Sequence, residues 1–101
     1  MSVQKINKNN FDSIKNSGKT VLLDFYADWC GPCRRVSPIV DEIAEEREDI
    51  VVGKINVDEE ADLANAFSIF SIPTLIVLKN GEVVEQAAGA RPKEQILAML
   101  G

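Results

Sequence analysis

The sequence contains no histidine and only two cysteines in 101 residues. Without histidine, a Ser-His-Asp triad, a Cys-His protease pair and any His-ligated metal are excluded. Two cysteines are too few for a disulfide scaffold, so an apolar core must hold the fold. Basic residues are also short: 11 Lys plus Arg stand against 16 Asp plus Glu, a formal charge of −5 with a sequence pI near 4.6. That balance argues against a nucleic-acid module, whose footprint is a basic face. Long apolar runs are missing. Leu75-Ile76-Val77-Leu78 is typical of those present, far below the roughly 20 residues of a membrane helix. Met1 to Lys5 show no basic stretch leading into an apolar core, so no secretory signal is expected. What is there is 46% hydrophobic and 27% charged, which is globular composition. The length fits a single domain over residues 1–101, with no repeat or low-complexity linker.

The hydrophobic pattern alternates between strand and helix. Asn9 or Asn10 is placed to cap a short helix carrying Phe11 and Ile14, and Gly18 to end it. Thr20 to Ala27 reads as a strand buried on both faces. From Gly31 to about Glu48 the apolar residues Val36, Ile39, Val40, Ile43 and Ala44 form one helical stripe, with Pro38 inside it. Ile50 to Val57 predicts a second central strand, and Glu59 to Phe67 a short helix. Thr74 to Lys79 and Glu82 to Ala87 are strands joined by Asn80-Gly81, a type I′ hairpin signal. Arg91-Pro92 opens a last helix bearing Ile96, Leu97 and Leu100. This order predicts an α/β fold with a mixed sheet between helices, two on each face.

Trp29-Cys30-Gly31-Pro32-Cys33 falls between a buried strand and the long helix. Cys30 at or next to the helix N-cap meets unpaired N–H groups and the positive end of the helix dipole. Both stabilise a thiolate, the nucleophile of disulfide exchange. Cys33 lies one turn along, close enough to close a small disulfide ring. Gly31 permits close backbone approach, and Pro32 suits a first turn that needs no N–H. Half a zinc site is the other use of this spacing, but a closed site needs four protein ligands and no further cysteine or histidine exists. A purely structural disulfide across so short a loop would constrain little chain entropy.

Asp24 interrupts the apolar run six residues before Cys30. Burial would raise its pKa, and Lys54 in the adjacent strand is the one candidate cation within the sheet. Such a carboxyl beneath a dithiol can shuttle the proton of Cys33.

These motifs, together with Pro38, Lys54-Ile55-Asn56-Val57-Asp58, Ile72-Pro73-Thr74-Leu75, Lys79-Asn80-Gly81 and Gly89, make the chain resemble the thioredoxin family over essentially its full length. The resemblance implies a thioredoxin fold, a central mixed five-stranded sheet flanked by four helices, with the dithiol exposed at one end. It also implies a cis Ile72-Pro73 peptide opposite the cysteines. Trp29, Ile72, Pro73, Ala88 and Gly89 would receive an extended substrate segment, with Gly31 and Pro32 positioning the thiols. The implied activity is protein-disulfide reduction through a Cys30–Cys33 couple, serving electron transport and cell redox homeostasis. No bound cofactor or metal is implied, electrons coming from NADPH through a thioredoxin reductase. Partners would be disulfide-containing proteins and that reductase, with no nucleic acid or membrane; the protein would be a cytoplasmic monomer. An oxidising or isomerising relative usually carries His in the spacer, so Gly31-Pro32 favours a reductant. A partner-stabilising subunit independent of redox turnover is the alternative of a different class. Two residues depart from the pattern: Tyr26 stands where Trp is more usual, and Phe70 precedes Ser71-Ile72-Pro73 where a polar residue would be unremarkable. Arg34-Arg35 add positive charge after Cys33.

Overall fold

The computed structural model describes residues 3–101; Met1 and Ser2, the start of the segment read for a signal, lie outside the described residues. The described residues form nine elements: β1 (Gln4–Lys5), α1 (Phe11–Lys15), β2 (Thr20–Tyr26), α2 (Gly31–Glu46), β3 (Ile50–Asn56), α3 (Ala61–Ala66), β4 (Thr74–Lys79), β5 (Glu82–Ala88) and α4 (Lys93–Met99). The five strands form one sheet in the order β1-β3-β2-β4-β5. β1, β3 and β2 run parallel, while β4 is antiparallel to β2 and β5 antiparallel to β4. The mixed sheet expected from the sequence is therefore present.

Alternation along the central strands divides the core. Leu22, Val52, Leu75 and Val77 meet Val36, Val40 and Ile43 of α2 and Ile96 and Leu100 at the α4 end. On the other face, Val21, Leu23, Phe25, Ile55, Ile76 and Leu78 meet Ile6 and Ile14, with Phe11, Leu63 and Phe67 packed against them. Phe67 lies edge-on to Phe11 and tilted against Phe25, ring centroids 5.7 and 5.6 Å away. Each fully buried Leu, Ile or Phe is worth about 1.5–3 kcal/mol. That two-sided core holds the sheet without any scaffold of disulfides.

Element ends depart from the sequence reading for identifiable reasons. Asn10 is the N-cap of α1 but makes no side-chain cap bond; its Oδ1 accepts the N–H of Asn7 at 2.8 Å. Asn7 instead accepts from the N–H groups of Asn9 and Asn10. Gly18 turns the chain at φ +81° after α1 has already stopped at Lys15. α3 begins at Ala61 rather than Glu59 because Asn56 draws the preceding turn to itself. Its Oδ1 accepts from the Asp58 N–H and its carbonyl from Glu59 and Glu60. α2 ends two residues early, at Glu46. Pro92 is the N-cap of α4, not part of its first turn.

The end of α3 has no glycine signal. Ser68 adopts φ +55°, its N–H bonds the Asn65 carbonyl, and the Ile69 N–H bonds the Ala64 carbonyl at 2.9 Å. This pair of bonds is a Schellman closure. It sets Ile69 against the core and sends the next residue, Phe70, outward.

Candidate active site

β2 delivers Asp24 to its middle and the cysteines to the turn beyond its end. Cys30 is the N-cap of α2, extended at φ −88° and ψ 109°, and its Sγ accepts the Cys33 N–H at 3.2 Å. The two cysteines are joined as a disulfide with Cα atoms 5.3 Å apart, so the structure is that of the oxidised form. Each cysteine is only 4% exposed, which corrects the expectation of an exposed dithiol. The first turn of α2 points the sulfurs inward while Gly31 and Pro32 take the exposed positions.

Beside Cys33 lies a cavity of about 220 Å³, lined also by Asp24, Lys54, Ser37 and Arg34 among others. Asp24 is 1% exposed, and its Oδ1 has no hydrogen-bond partner among the described residues. Burial pushes its pKa up from 3.8 to about 6; the Lys54 charge opposes that shift and the Asp41 charge adds to it. Strand register places Lys54 directly beside Asp24. Yet the ammonium turns away, donating to Ser37 Oγ and lying 3.6 Å from Asp41. Lys54 therefore acts on Asp24 through space, without an ion pair. Ser37 and Asp41, one α2 turn apart, were missed by the sequence reading, which paired Lys54 with Asp24 alone. Arg34 spans the cavity mouth and donates to the Asp28 carbonyl at 2.8 Å.

The surface residues divide into two groups. Trp29, 68% exposed, donates through Nε1 to Asp58 at 2.9 Å and shares a groove with Ile72. The Ile72-Pro73 peptide is cis, as the resemblance implied. Pro73 itself is buried. Thr74 pairs with Ala88 in the β4–β5 register, and the Gly89 N–H donates to the Pro73 carbonyl at 2.8 Å. Gly89 holds φ +94°, a conformation that side chains disfavour. Trp29 and Ile72 thus meet on one flank, and Ala88 and Gly89 border Pro73 on the other. Phe70 is 95% exposed, so this departure from the family pattern lies on the surface. Asp58, the anchor of Trp29, lay within a quoted motif, but no spacing rule joins positions 29 residues apart.

Among the described residues no three His, Cys, Asp or Glu side chains are placed to hold a metal ion, and no helix is long and apolar enough to cross a membrane.

The family model described as Thioredoxin matches residues 2–101. The chain is 48% identical over 92 residues to a thioredoxin of Alicyclobacillus acidocaldarius, covering 90% of this chain and 88% of that protein. It is also 48% identical over 102 residues to a thioredoxin of Pyropia yezoensis, covering 99% and 95% respectively. Among solved structures, a mutant thioredoxin from Halobacterium salinarum superposes with a TM-score of 0.92 at 35% identity, over 98% of this chain and 88% of the other.

Proposed function

The chain belongs to the thioredoxin family and is a thiol–disulfide oxidoreductase acting as a disulfide reductase, and on that premise we propose how its residues divide the work. Cys30 is the attacking thiolate. It displaces one sulfur of a substrate disulfide, which leaves as a thiolate, and forms a mixed disulfide. Cys33 then loses its proton and attacks Cys30 Sγ, expelling the second substrate sulfur. Two electrons pass to the substrate, and the protein ends with the Cys30–Cys33 bond. The observation that carries this reading is that bond at the helix N-terminus, with the Cys30 sulfur facing the Cys33 N–H. In the reduced protein the same N–H and the helix dipole favour the Cys30 thiolate.

Asp24 takes the Cys33 proton across the cavity that both line. With its pKa raised to about 6, the carboxyl is mostly ionised at pH 7 and so able to accept. Lys54 keeps that value from rising further. Trp29, Ile72, Pro73, Ala88 and Gly89 receive the substrate segment, with Gly31 and Pro32 at the exposed rim of the dithiol. The protein acts as a single-domain, monomeric, cytoplasmic electron donor without bound cofactor. A thioredoxin reductase drawing on NADPH recharges it, in electron transport and cell redox homeostasis. The Gly31-Pro32 spacer supports a reducing role.

The test is a dithiothreitol-driven insulin reduction assay comparing wild type with Cys30→Ser. Turnover falls by about a thousandfold or more in the variant if Cys30 is the nucleophile; equal rates would end the reading.

A further inference from the structure

Phe70 is 95% exposed, although burying such a ring elsewhere would be favourable. Its position is held from both sides. Upstream, the Ser68 turn pins Ile69 inward; downstream, Thr74 Oγ1 donates to the Ser71 carbonyl at 2.7 Å. Between Phe70 and Trp29 runs a groove of about 390 Å³, with Val57, Ile69 and Ile72 as its apolar lining and Ser71 at its edge. The groove is continuous with the substrate strip through Trp29 and Ile72, which adjoin Cys30 and Pro73 in the chain. Asp58, next to Val57 in the chain, is engaged by the indole N–H of Trp29. The groove's lining is apolar apart from Ser71 and offers no cationic side chain, which disfavours an anionic occupant.

From this arrangement we infer that Phe70 is a specificity-determining residue. With Trp29 it forms a subsite for a bulky aliphatic or aromatic side chain flanking the attacked cysteine of a protein substrate. The inference rests on the reductase reading above and narrows its substrate class. A substrate cysteine bonded to Cys30 brings its neighbouring residue over Trp29. An apolar side chain there covers the Phe70 ring and sheds water from both surfaces. A polar neighbour leaves Phe70 wet and gains nothing from it.

The probes are two disulfide-bridged peptides alike except for Phe or Ser beside one cysteine, reduced by wild type, Phe70→Ala and Phe70→Leu under dithiothreitol recycling. Wild type favours the Phe peptide by about tenfold in kcat/KM, chiefly through KM. Phe70→Ala brings the preference to within about twofold while reducing the Ser peptide at the wild-type rate, and Phe70→Leu restores most of it. A wild type with no preference, or a preference intact in Phe70→Ala, overturns the subsite. Sedimentation showing a dimer of the wild type that Phe70→Ala dissociates overturns it too. If wild type reduces neither peptide although dithiothreitol keeps it reduced, the reductase reading itself fails, a result distinct from lost preference.

Discussion

The two ends of the sheet are built differently. At the far end, where β4 passes into β5, Asn80 and Gly81 hold φ +54° and +80°, as a type I′ turn requires. Nothing there needs a distant partner. At the sulfur end, β4 is entered through a left-handed Ser68 and an outward Phe70. A carboxyl without a hydrogen bond on one oxygen is buried below. The far end follows local rules at little cost. The sulfur end departs from them at several positions and is held by contacts from β3, α2 and β5, the pattern expected where chemistry competes with stability.

The sharpest way to test this contrast is to remove the buried charge. An acid whose folded-state pKa lies above its unfolded value binds its proton more tightly when folded. Stability therefore falls as pH rises from about 4 to about 6 and stays low beyond. The shift from 3.8 to about 6 corresponds to about 3 kcal/mol. Denaturant unfolding of oxidised Asp24→Asn is expected to show a gain of about 2–3 kcal/mol at pH 8 and little gain at pH 4. Its mixed disulfides also resolve more slowly at pH 7. An unchanged stability profile would remove the carboxyl from the list of costs at this end.

A smaller effect is expected at the far end. Gly81→Ala places a Cβ in ordinary contact with Lys15, at 3.7 Å from its Cγ, so the cost is backbone strain at positive φ, about 1 kcal/mol. Disulfide reduction by this variant stays at the wild-type level; a loss of activity would join the two ends functionally. Smallest of all, Phe70→Ser changes the unfolding free energy by no more than about 0.5 kcal/mol, since the ring is almost wholly exposed. A larger loss would make Phe70 structural.

The same division governs what the sequence discloses. Asn80-Gly81, the apolar runs of β2 and β4, and the α2 stripe are local signals, and each element appeared within a few residues of its expected place. Cys30 at the N-cap follows from a strand running into a helix. Asp24 was legible as a polar residue inside an apolar run, and its register with Lys54 as a feature of adjacent strands. The direction taken by the Lys54 ammonium was not, because Ser37 and Asp41 reach it from a helix packed across the sheet. The Schellman closure at Ser68 lacks the glycine that usually marks one, so the outward turn of Phe70 had no local sign. The inward set of the sulfurs likewise depends on the helix seating itself over Asp24. The cis peptide was reached only through the family resemblance.

The central claim is that Cys30 attacks and Cys33 resolves. Its most direct test is to mix reduced Cys33→Ser with a disulfide-bearing protein and map the adduct by mass spectrometry. A stable mixed disulfide through Cys30 is predicted, released by dithiothreitol and absent with Cys30→Ser. Failure to form any adduct, while the variant still reduces the substrate at the wild-type rate, would contradict it.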